Sequence, residues 1–422
     1  MEKKPRNILV ITTWGYREGL IQSSTLPYLK MIHGIIPTSR LFLVTQEELA
    51  WYRNRQVKET VNQELLPYNI YLLPQLYHQF GFKKMVVSFF QFLKLFWIVL
   101  TKNISYIHCF CTPAGATGYL LSILSGKKLV IDSYEPHAES MVENGTWKEG
   151  SFAFRLLWWL EKKQSSRASY YLAAASGMDR YAREKYGVEL AKWGVRPACV
   201  DLNAFKYDEA ARQKIRGELG WEHKVVVIYA GKFGGIYLDK EVFDFFKVAY
   251  DYWGDQFRVL LLTTNTENEL RELCSRAGFP FNLIHNLSVP HHEVPNYLSA
   301  ADFAITPVKP VPSKKYCTPI KDGEYWAIGL PVVITKNISD DSYVISKHRA
   351  GAVMNDLNKE AYEKAVGAID QVLQENRYEL RMRIRRLAET YRNYEIAWAE
   401  YNKIYGNAIS RKSIQAIVKA IE

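Results

Sequence analysis

Cysteine is scarce in this sequence. The five in 422 residues (Cys109, Cys111, Cys199, Cys274 and Cys317) are an odd number with no CxxC spacing. That excludes a disulfide framework and argues against a zinc site built on cysteine pairs. Long apolar runs are missing too. The richest stretch, 82–102 (FKKMVVSFFQFLKLFWIVLTK), is broken by Gln91 and Lys94, so its uninterrupted pieces fall short of the ~18–20 residues of a bilayer span. It suits a helix packed within a domain, or an interfacial helix in which Lys83, Lys84 and Lys102 flank a Trp97/Phe face, with a true span as the remaining alternative. No Asp-x-Asp pair occurs, and no G-x-S-x-G, so the usual signature of a hydrolase nucleophile is absent. The opening MEKKPRNILVITTW runs straight into a strand pattern, and its apolar run is too short for a secretory signal. With dispersed cysteines, the expected home is the reducing cytosol.

What is present is an ordinary globular mix, 48% hydrophobic and 23% charged. It excludes disorder, collagen and coiled coil, and the length allows two cores. The charge is lopsided. Residues 1–200 hold 25 Lys+Arg against 15 Asp+Glu, or +10, whereas 201–422 hold 30 against 29, or +1. The first half is therefore expected to meet something acidic (a lipid head-group surface, a phosphorylated acceptor or nucleic acid) or else to carry a solvated basic face. Nucleic acid loses support because the closest cationic patch, RMRIRRLAETYR (381–392), reads more simply as a solvated helix face.

Short apolar runs alternate with helical patterns along the chain. Residues 7–12, 39–44, 106–109, 128–131 and 170–174 read as strands in the first half. Residues 224–229, 257–262, 303–305 and 331–334 do so in the second. Most are unbroken rather than alternating, as buried parallel strands should be. The βαβα order implies an α/β fold of doubly wound sheets, and the pattern begins twice. The expected domains are 1–198 and 199–395, both Rossmann-like and facing across a cleft, followed by a helical, charged segment over 396–422 with no strand of its own.

Residues 315–335 (KYCTPIKDGEYWAIGLPVVIT) carry the most chemistry. Thr318 suits an N-cap and Pro319 the first helical position, while Gly329 sits where the helix should stop. Lys321 falls in the first turn, where a cation opposes the helix dipole, so its use is to meet a phosphate drawn to that end. Glu324, three residues on, shares the face and can accept from two adjacent ribose hydroxyls. The plain alternative is a surface Lys–Glu pair. YAGKFGGIYLDK (229–240) follows the first strand of the second series. Gly231, Gly234 and Gly235 let backbone approach a phosphate or sugar, and Lys232 adds a cation. It is neither GxGxxG nor a Walker A loop, so dinucleotide binding and P-loop hydrolysis lose support. VIDSYEPHA (130–138) sets His137 at the carboxyl end of a strand, in a structural or a catalytic role. His291, His292 and Glu293 lack the spacing of a helical metal pair and read as solvated loop.

Together these pieces resemble the GT-B glycosyltransferases, specifically the retaining group 1 (family 4) enzymes, over nearly the whole chain. PIKDGEYWAIGLPVV is similar to the family's K-x-x-E-Y-x-A-x-G-x-P-V-I donor motif. AGKFGGIY occupies the place of its Gly-rich loop, and VPNYLSAADFAITP resembles the stretch before the donor helix. AAASGMDRYAREKYG with CVDLNAF is similar to the end of the N-domain and its linker, and TTWGYREGLIQSS to the acceptor-side loop. The resemblance implies that Glu324 holds the nucleotide ribose, and that Lys321 and Lys232 hold the donor diphosphate with amides around Thr318. It implies that backbone at Leu287 and Val289 meets the base, that His137 contacts the transferred sugar or acceptor, and that Gly19 and Gln22 line the acceptor side. It also implies that the helices over 396–422 return to the first domain, and it implies transfer with retention, no bound metal and no resident cofactor, the nucleotide-diphosphate sugar being substrate. The acceptor would be a glycan or a lipid-linked intermediate, reached by a cytoplasmic enzyme peripheral to an anionic membrane. Two departures stand out. Tyr316 occupies the position of the first glutamate of the family's E-x7-E, and Tyr237 the place of the second cation after the Gly-rich loop. The alternatives are a catalytically inactive GT-B nucleotide-sugar-binding protein and a GT-B epimerase.

Overall fold

The computed structural model describes residues 6–78 and 82–406, with the side chains of 82–85 also outside the description. The chain forms two compact units: one runs to Pro197 and resumes at Glu395, the other is Ala198–Tyr394.

Among the described residues the first unit holds seven strands: β1 (Asn7–Ile11), β2 (Leu41–Glu47), β3 (Ile70–Leu76), β4 (Ile104–Phe110), β5 (Lys128–Ser133), β6 (Tyr170–Ala173) and β7 (Trp193–Val195). They pair in the order β3-β2-β1-β4-β5-β6-β7, all parallel. The second unit repeats the plan with β8 (Val225–Ala230), β9 (Phe257–Leu262), β10 (Ile284–Leu287), β11 (Phe303–Thr306), β12 (Val332–Thr335) and β13 (Gly351–Met354) in the order β10-β9-β8-β11-β12-β13. Each sheet thus reverses direction beside its own first strand, at β1/β4 and at β8/β11. Ligands of such folds bind in the crevice outside the carboxyl ends of those two strands.

The unbroken apolar runs follow from burial on both faces. Along β8, Val226 and Ile228 enter one core with Tyr325 and Trp326, while Val227 and Tyr229 enter the other with Phe243 and Phe246. Residues 82–102 form one helix, Phe82–Thr101, whose Leu95, Ile98 and Val99 are buried in the first unit. Among the described residues no helix is long and apolar enough to cross a membrane.

The patch at 381–392 is only in part the solvated face read from the sequence. Arg381 is buried and Arg385 half-buried on the helix Arg377–Tyr391, and Arg392 is buried just past its end, whereas Arg386 is exposed. Arg381 donates to the carbonyls of Ile328 and Ala301, and Arg385 to those of Ala327, Leu202 and Phe205. The guanidinium forks of Arg381 and Arg385 thereby satisfy carbonyls at the ends of neighbouring helices, at Ile328, Ala301 and Ala327, which is why these two face the protein.

Candidate donor and acceptor sites

The helix Ile320–Ile328 follows β11 and precedes β12, so its amino end opens at the crevice of the second sheet. Its N-cap is Pro319 rather than Thr318, which corrects the frame read from the sequence by one residue. Pro319 has an extended ψ and offers no side-chain cap of its own. The far end closes as expected. Gly329 takes φ +82°, and a Cβ there would lie 2.6 Å from the carbonyl oxygen of Arg381. Only glycine meets both demands.

Glu324 is 2% exposed, so the pair it forms with Lys321 is not a surface pair. Lys321 Nζ donates to Glu324 Oε2 at 2.8 Å, and His291 Nε2 stands 3.5 Å from Oε1. Burial alone would raise the pKa of Glu324, but Lys321 and His291 overcome it and hold the carboxyl below its ordinary range. His291 corrects the reading of 291–293 as plain solvated loop. The three residues form a 3-10 turn, and its first histidine reaches back to the helix Ile320–Ile328 while remaining more than half exposed.

The Gly-rich loop is tied to the same place. Tyr325 Oη of the helix accepts from the N–H of Ala230 at 3.1 Å, one residue before Gly231. Tyr229 Oη donates to the carbonyl of Lys232 at 2.7 Å. Gly234 and Gly235 adopt φ of +84° and +66°, a region that disfavours other residues. Two backbone bonds, Leu238 N–H to Pro307 and Lys309 N–H to Ile236, stitch the loop to the segment leaving β11. Phe233 N–H donates to Asn265 after β9. Gly231, Lys232, Gly234, Gly235, Lys321 and Glu324 therefore gather around the carboxyl ends of β8 and β11. Lys232 is exposed. Leu287 ends β10 with its carbonyl already accepting from Thr263, and Val289 lies two residues on, partly buried. Tyr316 closes the 3-10 turn Pro312–Tyr316, half-buried, just ahead of the helix.

In the first unit, His137 opens the helix His137–Glu143 beyond the end of β5. Its ring is one-third exposed, with Nδ1 3.6 Å from Glu135 Oε1. Beneath it the buried Glu161 accepts from the N–H groups of His137 and Ala138, from Thr112 and from Tyr186. A carboxylate from another helix thus caps this one and fixes where His137 stands. Burial nonetheless lifts the pKa of Glu161 above its ordinary value. Gln22 donates to the carbonyl of Tyr16 at 2.5 Å and lines an open cavity of ≈ 600 Å³ with Tyr16, Arg17, Gln56, Thr60 and Glu64. Burial and the Glu64 carboxylate push the Tyr16 hydroxyl up to about 12. Gly19 is exposed, and a Cβ there would meet nothing within 4 Å, so space does not require glycine at 19. Among the described residues no group of three His, Cys, Asp or Glu side chains converges as a metal set.

Neither a protein-family model nor a curated protein matches this sequence. Solved structures do match in fold. HepE from Anabaena, solved in complex with UDP, superposes with a TM-score of 0.70 at 14% identity, over 94% of this chain and 99% of that one. Sucrose-phosphate synthase from Thermosynechococcus elongatus gives 0.73 at 12% identity over 95% and 98%. WaaG, a glycosyltransferase involved in lipopolysaccharide biosynthesis, gives 0.69 at 13% over 95% and 100%. The chain has the GT-B fold of these proteins, two Rossmann-like α/β units in tandem.

Proposed function

We propose that this protein is a glycosyltransferase that moves a sugar from a nucleoside-diphosphate donor to an acceptor hydroxyl with retention. The observation that carries the reading is Glu324, a carboxylate out of water yet held ionised at the mouth of the β8/β11 crevice. An ionised acceptor of that kind suits the two vicinal hydroxyls of a ribose. Lys321 sits one turn away at a helix amino end, and Lys232 rises from the Gly-rich loop. In this reading they meet the diphosphate, with amides around Thr318. HepE, bound to UDP, supports the choice of a nucleoside diphosphate.

The chemistry asked of these groups is stabilisation of charge on the leaving phosphate. The bond from the anomeric carbon to the phosphate oxygen breaks, and the bond to the acceptor oxygen forms on the same face. The acceptor proton passes to the departing phosphate, so no protein carboxylate need act as nucleophile. Lys232, Lys321 and the helix dipole oppose the developing charge, and removing one such contact costs on the order of 10²–10³ in rate. His137, held by Glu161, would contact the sugar or acceptor. The cavity bounded by Gln22, with one cation and one carboxylate among hydroxyls and amides, suits a carbohydrate acceptor. We infer that this acceptor is a glycan or a lipid-linked intermediate, met on the cytoplasmic side of a membrane.

Thermal melting with nucleoside diphosphates and their sugars, with and without a chelator, tests the donor site. A ligand at 100 Kd adds ~2.7 kcal/mol of stability. The expected result is a chelator-resistant shift with one nucleotide that Glu324→Ala abolishes. No shift with any nucleotide would overturn the reading. A shift without sugar transfer to any acceptor would leave a binding protein that keeps the fold, the outcome that Tyr316 in place of a glutamate would favour.

A further inference from the structure

Three helices of the first unit lie side by side on one face of its sheet: Phe82–Thr101, Thr112–Ser125 and Phe152–Arg167, the middle one packed against both others. Their inner faces are buried in the usual way. Their outer faces are not polar, as those of a solvated helix should be. On the first helix Val86, Phe89, Phe90, Leu93, Trp97 and Leu100 recur at helical spacing and all are exposed, Phe90 to 64% and Trp97 to 61%. The second presents Leu120, Ile123 and Leu124, and the third Phe152 (81% exposed), Leu156 and Trp159. Isolated exposed apolar residues are normal; twelve of them on the outer faces of three helices packed in a row mark an interaction surface.

The charge on the same helices says what it meets. They carry seven Lys and Arg residues and a single carboxylate, Glu161, which points inward and is buried. Lys94, Arg155 and Lys163 are exposed beside the apolar stripes. Lys163 lies over the ring of Trp159, 5.7 Å from its centroid. Lys102 and Lys128 stand exposed just beyond the ends of the first two helices. Helix dipoles account for cations at such ends, but not for the absence of any outward carboxylate among three whole helices. A second copy of the chain would set this cationic rim against itself, an arrangement that costs energy. An anionic lipid surface satisfies both features, because aromatic and aliphatic side chains enter the acyl boundary while Lys and Arg remain at the head groups.

We propose that this three-helix face is a docking surface for an anionic lipid bilayer, which seats the first unit on the membrane without crossing it. The inference gives the membrane contact of the proposed function a location, yet it stands on its own observations. Its test involves no nucleotide, so either reading can fail without the other. Full-length protein is floated with vesicles of phosphatidylcholine alone and of phosphatidylcholine mixed with phosphatidylglycerol, at low and high salt. Binding to the mixed vesicles only, weakened by salt, is expected. Trp97→Glu should abolish it. Lys162→Glu/Lys163→Glu should weaken it at least tenfold, since each cation near such a surface is worth ≈ 1 kcal/mol. Both sets of changes lie on exposed or half-exposed positions, and retained thermal melting checks that the variants fold. Absence of binding to the mixed vesicles overturns the proposal, as does binding that Trp97→Glu leaves intact. A dimer in sedimentation velocity that Trp97→Glu splits, with no flotation, would assign the face to a second copy instead.

Discussion

Glu324 shows how much a single side chain depends on its partners. Lys321 can be found from the sequence because an i, i+3 pair is local to one helix, and the glycines of 231–235 because a Gly-rich turn after an apolar strand is local too. His291 cannot, since it lies 33 residues from the carboxylate it approaches and only the packing of the 3-10 turn brings it there. Nor can the burial of Glu324, which turns a pair readable as surface decoration into a charged group held out of water. Gly231 poses a sharper case. A Cβ there would come within 2.6 Å of Tyr229 Oη and 2.8 Å of its Cζ, and that ring is itself buried in the core. Gly231→Ala must displace the ring and break its bond to the Lys232 carbonyl, which we expect to cost ~1–3 kcal/mol. Nucleotide affinity should fall with it, because Lys232 moves. Tyr229→Phe removes the obstructing oxygen, so the double variant should be less destabilised than the two single changes summed. Additive losses in melting would show that the close approach does not govern the loop.

At the scale of elements, the nine strands recognisable as apolar runs are the nine interior strands of the two sheets. The four that carry no such run, β3, β7, β10 and β13, are the edges of the two sheets. The reason is physical: an edge strand is half-solvated, and its burial alternates or thins, as in Ile70–Leu76 with Pro74 within it and Ile284–Leu287 with no fully buried residue. Helix Ile320–Ile328 has a second determinant that no pattern discloses. Asp322, on its inner face, meets Asp341 from the next helix, with Thr306 donating to the first and Arg392 to the second. Burial, and then the neighbouring carboxylate, raises the pKa of Asp322 well above the usual range, and burial raises that of Asp341 despite Arg392. The pair therefore keeps a proton that an unfolded chain would release. Stability from a raised carboxyl is complete below the unfolded value near ~4 and is lost as pH climbs toward the folded one, by roughly 1.4 kcal/mol per unit of elevation. Asp322→Asn supplies the same donor without a proton to lose. Melting curves from acid to neutral pH should then show the variant gaining on the native protein as pH rises. Parallel curves would remove the shared proton.

For the molecule as a whole, the first unit is assembled from two distant lengths of chain, and a buried cluster binds them. Asp132, at the end of β5, accepts two bonds from Arg196 at 2.7 and 3.1 Å and one from Tyr401 at 2.8 Å. Tyr405 bonds His108 Nδ1 at 2.9 Å, and the guanidinium of Arg196 stacks 4.1 Å over the ring of Tyr28. The helix Tyr394–Tyr405 is thereby locked to β4 and β5. Two apparently chemical residues of the stretch around His137 thus divide their labour: Asp132 fastens the unit, and only His137 is left in partial contact with solvent. Burial would raise the pKa of Asp132, but Arg196 and His108 prevail and hold it below the ordinary carboxylate range. A depressed carboxyl contributes stability above its unfolded value near ~4 that is lost as pH falls through the folded one. Asp132→Ala would strand a buried guanidinium, at a cost of ~3–5 kcal/mol, whereas Tyr401→Phe forfeits one bond to a charged acceptor, ~1.5–3 kcal/mol. Calorimetry should find both losses near neutral pH, larger for Asp132→Ala and diminished in acid. Because every group of the cluster lies in the first unit, Tyr401→Phe should leave the nucleotide affinity proposed for the second unit unchanged. A loss of affinity equal to that of Glu324→Ala would mean that the two units do not hold their sites independently.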